Sequence, residues 1–215
     1  MARTMLDSAG LWAVVALLVP VLKVPYFQLA NRALGAVSEA LGHPRGYVMY
    51  KYTVFVSGLA VAYLLAVRPE IAVPRPGLLA AAFVAGLGLY ALDNALWRAI
   101  ADPDPSGTTF ALVWPTLVGG AAEEVLYRGA LAVAIGTEGL AGVAFVVVSA
   151  LAFGANHLSF GKHEVAFKTF DGIVYAGCLL ATGSLVAPVL AHVGYNVAFV
   201  CWTSEVRDRV AGIAG

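Results

Sequence analysis

Two adjacent glutamates and an arginine stand inside an apolar stretch, in the run Gly119-Gly120-Ala121-Ala122-Glu123-Glu124-Val125-Leu126-Tyr127-Arg128. An ionised side chain near the centre of a bilayer costs about 2.5 to 3.5 kcal/mol on insertion scales, so such a group is a functional hypothesis by default. Glu124 and Arg128 are four residues apart, on one helical face and with the acid N-terminal, the favourable order for an ion pair. Glu123 lies about 100° further round the helix and is not neutralised by that arginine in the same way. One carboxylate is held while its neighbour is left available, which is how a site presents a general base. The competing reading is a helix-packing ion pair that faces the bundle interior. Gly119 and Gly120, just before the pair, permit close helix approach.

Two histidines extend the pattern. His157 ends a further apolar run in Phe153-Gly154-Ala155-Asn156-His157, and His192 opens His192-Val193-Gly194-Tyr195-Asn196. The four-residue interval sets His192 and Asn196 on one helical face, so both can address one ligand oxygen. Singly, either histidine reads equally well as an interhelical hydrogen-bonding residue. Together with a free glutamate they make three helices that each bring a proton-handling or polar group into lipid.

The elements that must carry these residues follow from composition. Hydrophobic residues are 60% of the 215, charged residues only 12%, where a soluble domain carries about 25%. That excludes disorder, and thirteen Lys+Arg against thirteen Asp+Glu exclude nucleic-acid binding through a basic surface. Cys178 and Cys201 sit in apolar stretches and form no disulfide framework. The chain reads as all-α, a polytopic transmembrane helical bundle and a single integral-membrane domain over 1–215. A crossing needs about 17 to 25 apolar residues. Seven spans are expected, give or take one, at 9–28, 47–67, 77–99, 109–136, 139–158, 165–182 and 185–203. Proline-bearing breaks at Arg68 to Gly77 and Ala101 to Gly107 separate them. Thr182-Gly183-Ser184 is a weaker break, and Pro188 could instead kink one long segment. The first span reads as a retained helix rather than a signal peptide, because Asp7 interrupts the basic n-region and apolarity continues past Lys23. After it, Leu29, Leu34, Val37 and Leu41 recur at near-helical spacing, as in a segment lying along the interface.

Alternating the spans puts Lys23, Arg32, Arg45, Lys51, Arg98, Lys162, Lys168, Arg207 and Arg209 on one side, with only Arg3, Arg68 and Arg75 opposite. Tyr26, Tyr47, Tyr50, Trp97, Trp114 and Trp202 join the basic side. Positive charge marks the cytoplasmic face, so the N-terminus is expected outside and the C-terminus inside. The remaining polar residues have structural readings. His43 and His163 fall in expected loops, Asp93 near a span end, and Lys168 with Asp171 as a local pair near the headgroups that could also touch a substrate tail. Pro115 kinks the fourth helix or marks its start.

In their order, Glu123-Glu124-x-x-x-Arg128, Phe153-x-x-x-His157 and His192-x-x-x-Asn196 resemble the three motifs of the CPBP family. This is the CAAX-protease and bacteriocin-processing group, also called ABI, which includes the Ras-converting prenyl endopeptidase. Thr182-Gly183-Ser184-Leu185, Pro188 and Ala191-His192 look like the stretch before its last motif. The resemblance runs from Pro115 to Asn196, and 109–203 is by resemblance the catalytic core of the bundle. It implies a glutamate-type intramembrane endopeptidase. Glu123 matches the glutamate that activates water, assisted by His157. His192 and Asn196 match the pair that stabilises the oxyanion, and Glu124, Arg128 and Phe153 complete the motifs in support. The implied partners are the lipid bilayer and a membrane-embedded or lipidated protein or peptide: a prenylated C-terminus, a bacteriocin-type leader or a sorting-signal tail.

No cofactor is expected. Two histidines and a carboxylate could make a three-ligand zinc site, but the sequence has no H-E-x-x-H helix, and zinc is the less favoured reading. Two other function classes stand beside the protease: a non-catalytic membrane immunity or scaffold protein, for which Glu123 is dispensable, and a proton-coupled transporter. The absence of a visible repeat weighs against the transporter.

Overall fold

The computed structural model describes residues 2–40, 44–100 and 112–202. Every regular element in it is helical: α1 Ala2–Ala40, α2 Pro44–Val67, α3 Pro76–Ile100, α4 Val113–Glu124, a π-helical segment Val125–Ala130, α5 Leu131–Ile135, α6 Gly139–Ala155, α7 Lys162–Thr182 and α8 Val186–Trp202. Since α4, the π segment and α5 follow one another without a break, the described residues make seven helical passes, and each expected span overlaps one. Among the described residues four helices are long and apolar enough to cross a membrane, over Ser8–Asn31, Val48–Val67, Pro76–Ile100 and Lys162–Thr182, while Gly139–Ala155 and Val186–Trp202 are shorter apolar helices.

The helix ends follow local chemistry. Pro115 lies in the first turn of α4, where its missing N–H removes no intrahelical bond; it marks the start. Gly183 ends α7 in the left-handed conformation, at φ 64°, which glycine adopts without a Cβ penalty. The weak break at Thr182 to Ser184 is therefore a true helix boundary, and Pro188 sits in the first turn of α8.

Three expectations change. The segment after the first span is continuous with it, because α1 runs unbroken to Ala40. His163 is not in a loop but in the first turn of α7, its ring 6.0 Å from that of Trp97. The expected Lys168–Asp171 pair is present at 2.7 Å, but it is not confined to its own helix: the side chains are only 12% and 1% exposed, and Lys168 also joins residues of two other helices. His43, Arg207 and Arg209 lie outside the described residues.

The most extensive packing joins α3 to α8 and α6 to α7, with α4 lodged between α2 and α8. Small residues make it possible. A Cβ on Gly86 would strike the carbonyl of Ala191, and one on Gly194 the carbonyl of Phe83, so α3 and α8 touch backbone to backbone. Across α6 and α7, a Cβ on Gly172 would come within 2.8 Å of Ala150 Cα, and Gly154 faces Thr169 and the Val165 carbonyl. In lipid, where apolar burial drives little association, such close approach supplies the dispersion contact that holds helices together. Large hydrophobic residues remain exposed along the outside, among them Leu17, Val54, Val84, Val147 and Ile173. Apolar exposure on this scale fits lipid and not water: this is an integral membrane protein.

Candidate active site

The two glutamates are both buried, yet their surroundings differ. Arg128 Nη1 meets Glu124 Oε1 at 3.0 Å with both side chains fully buried. Its Nη2 donates to the Gly172 carbonyl at 3.0 Å, where the absent side chain of Gly172 leaves room for the guanidinium. Phe153 and Tyr175 flank the cation, their ring centroids 4.7 and 5.3 Å from Cζ, an arrangement in which ring quadrupoles stabilise positive charge. The i,i+4 pair read from the sequence is present, and it is locked by two neighbouring helices.

His192 bridges the carboxylates. Its Nδ1 lies 2.8 Å from Glu124 Oε1, and its Nε2 3.8 Å from Glu123 Oε2. Tyr175 stacks on the ring at 4.9 Å and Phe153 meets it edge-on at 5.6 Å. Asn196, one turn on, donates from Nδ2 to the Thr116 carbonyl at 3.0 Å, which leaves the second amide hydrogen unassigned. A Cβ on Gly120 would stand 2.5 Å from Asn196 Nδ2 and 3.0 Å from His192 Nε2. Gly120 thus admits the face of α8 that carries both residues, while Gly119 faces Thr53 of α2.

Glu123 has no arginine. Its Oε1 accepts hydrogen bonds from Tyr52 Oη and, at 2.9 Å, from Asn156 Nδ2. Asn156 Nδ2 also donates to Tyr52 Oη at 2.5 Å, and Lys23 Nζ donates to the Asn156 carbonyl at 2.5 Å. Oε2 accepts no hydrogen bond among the described residues and faces His192 alone. Sequence reading missed Tyr52, Asn156 and Lys23 as members of the site. Asn156 had one available signal, a polar residue beside His157 in an apolar run; Lys23 and Tyr52 had none, since they arrive from α1 and α2.

His157 is partly exposed and packs edge-on to Phe153 at 5.0 Å. Its Nδ1 lies 3.0 Å from the Phe153 carbonyl. A carbonyl can only accept, so Nδ1 carries the hydrogen, and in the neutral ring Nε2 holds the lone pair. Phe153 therefore touches His157, His192 and Arg128 with one ring. Six of the residues singled out in the sequence, Glu123, Glu124, Arg128, Phe153, His157 and His192, belong to one contact network, while Asn196, one turn beyond His192, bonds the Thr116 carbonyl.

A second polar cluster lies beside it. Lys168 Nζ contacts Asp171 Oδ2 at 2.7 Å, Tyr195 Oη at 2.6 Å and Asp93 Oδ2 at 3.6 Å, and Tyr195 Oη donates to Asp93 Oδ2 at 3.0 Å. It ties α3, α7 and α8 together next to the last motif.

Among the described residues no three His, Cys, Asp or Glu side chains stand as an ion-holding group. His192 Nδ1 and Glu124 are spent on each other, and His157 Nδ1 on a backbone carbonyl.

Residues 105–198 match the family model described as Type II CAAX prenyl endopeptidase Rce1-like. The matched segment is less than half of the chain, and it is similar to that family. The match spans all three motifs and agrees with the CPBP resemblance of the sequence. No curated protein and no solved structure matches the chain.

Proposed function

We propose that this protein is a glutamate-type intramembrane endopeptidase acting on a membrane-embedded or lipid-anchored substrate near the cytoplasmic face. The observation that carries the reading is the division of labour between the glutamates. Glu124 is neutralised by Arg128 at 3.0 Å, while Glu123 keeps Oε2 free of hydrogen bonds among the described residues and 3.8 Å from His192 Nε2.

In this mechanism Glu123 Oε2 takes a proton from water as the water oxygen bonds to the scissile carbonyl carbon. His157, with its lone pair on Nε2, assists the proton transfer. The carbonyl oxygen becomes an oxyanion, met by His192 Nε2–H and the second amide hydrogen of Asn196. Donation from Nε2 requires both ring nitrogens to carry hydrogens, and Glu124 is the fixed acceptor on Nδ1. The C–N bond then breaks, and the proton held by Glu123 passes to the leaving amine. The buried, preorganised donors are worth more here than in water because they need no reorientation as charge develops.

The basic face of the bundle is cytoplasmic in this reading, with the N-terminus outside. Membrane-protein termini compared between cells making wild type and Glu123→Gln at equal levels test the proposal. New termini confined to the wild type support it and identify the substrate. Identical termini, with a deletion phenotype rescued by the variant, refute it in favour of a non-catalytic binding role. Loss of the base is expected to cost about 100- to 10,000-fold in rate.

A further inference from the structure

We propose that Tyr52 and Asn156, the latter anchored by Lys23, are positioning residues that occupy Glu123 Oε1 and so leave Oε2 as the oxygen aimed at the reacting water. This rests on the reading of Glu123 as the base, and assigns a role to three residues outside the motif positions.

The arrangement is directional. Helix α6 ends at Ala155, and its last carbonyls have no intrahelical partner. Lys23 Nζ, from the middle of α1, takes the Asn156 carbonyl at 2.5 Å and lies 3.3 Å from Oδ1 of the same residue. An ammonium is favoured there twice over, as a donor to an orphan carbonyl and as positive charge at the negative end of a helix. With Oδ1 turned toward a cation, the amide nitrogen must face the other way. There it spends its hydrogens on Tyr52 Oη at 2.5 Å and Glu123 Oε1 at 2.9 Å. Tyr52 accepts from Asn156, so its single hydrogen goes to the remaining acceptor, Glu123 Oε1. Donors run one way, from Lys23 through Asn156 and Tyr52 to one carboxylate oxygen.

Two donors on Oε1 fix the rotation of the carboxylate and draw charge onto the oxygen that does not react. Oε2 then points toward His192, the side on which the proposed oxyanion forms. A base held in one orientation is what rate acceleration by positioning requires. A purely structural role, satisfying a buried carboxylate, would cost stability on removal and leave turnover per folded molecule unchanged.

The test uses purified full-length protein in lipid nanodiscs and an internally quenched farnesylated peptide as probe. Infrared difference spectra, with Glu123→Gln as the blank, isolate the Glu123 carboxylate band. Tyr52→Phe, which keeps the ring, is expected to shift that band and lower kcat by about 10- to 100-fold with KM unchanged, the cost of misaiming a reacting group. Asn156→Ala does the same, Lys23→Met follows Asn156→Ala, and Lys23→Arg restores activity. A band unmoved in Tyr52→Phe, or a raised KM with kcat intact, overturns the proposal. If Asn156→Ala does not fold, Tyr52→Phe carries the test. Glu123-dependent cleavage without a band shift defeats the positioning role alone. A band shift with cleavage indifferent to Glu123→Gln defeats the reading of Glu123 as base.

Discussion

At the scale of single residues, the site separates one buried charge that is paired from one that is presented. Glu124 and Arg128 are both fully buried at 3.0 Å, and removing one partner of such a pair leaves a desolvated charge. Arg128→Met is expected to destabilise the fold by about 3 to 5 kcal/mol, read as a lowered thermal midpoint in detergent. The double variant Glu124→Gln with Arg128→Met recovers part of that loss. Asn196→Ala acts differently: it removes a proposed oxyanion donor, and kcat on a cleavable peptide is expected to fall about 100- to 1,000-fold. Unchanged turnover in that variant would remove Asn196 from the mechanism. The pairing of Glu124 with Arg128 was legible from spacing alone, because i,i+4 neighbours meet on any helix. The partners of Glu123 were not, since Tyr52 is 71 residues away in sequence.

At the scale of elements, two features shape the site. The first is the π-helical segment Val125–Ala130, which directly follows Glu124 and contains Arg128. Widened turns of this kind collect at functional sites, and no residue type in this stretch announces one. The second is backbone contact between α3 and α8 through Gly86 and Gly194. Gly86→Ala or Gly194→Ala places a methyl against a carbonyl that cannot rotate away, so α8, with His192 and Asn196, must shift. A loss of about 1 to 3 kcal/mol is expected, seen as a lower thermal midpoint. Gly88, in the same helix as Gly86, has open space around it. Gly88→Ala is therefore expected to be neutral or to stabilise by up to about 1 kcal/mol through helix propensity. Equal effects at the two positions would show that close packing of α3 on α8 is not what the glycine supplies.

At the scale of the whole molecule, a bundle with an apolar exterior buries a cluster of polar side chains within a largely apolar core. Helices α6 and α8 have 17 residues each, about 25 Å of helix against a hydrocarbon core of about 30 Å. The irregular turn at Asn156 and His157, where α6 stops, is covered by α1 through Lys23, which satisfies the Asn156 carbonyl. The long helices α1 and α2, which carry none of the motifs, complete the glutamate site with Lys23 and Tyr52. The charge distribution predicts a cytoplasmic C-terminus; a reporter fused there that is active only outside the cytoplasm is expected to be silent, and activity would reverse the orientation.

The sequence by itself determined the helical class, about seven passes and the i,i+4 pairing of Glu124 with Arg128. Each of these depends on local quantities: the length of an apolar run, the cost of a charge in lipid, and the 3.6-residue period that sets side chains on one face. Tertiary structure decided which oxygen of Glu123 is engaged, that His192 spans both glutamates, and that the Lys168–Asp171 pair extends into an interhelical cluster. Those outcomes depend on which helices come close enough to donate a hydrogen bond. In lipid that is fixed by where glycines let backbones meet, and period and composition leave the pairing of helices open.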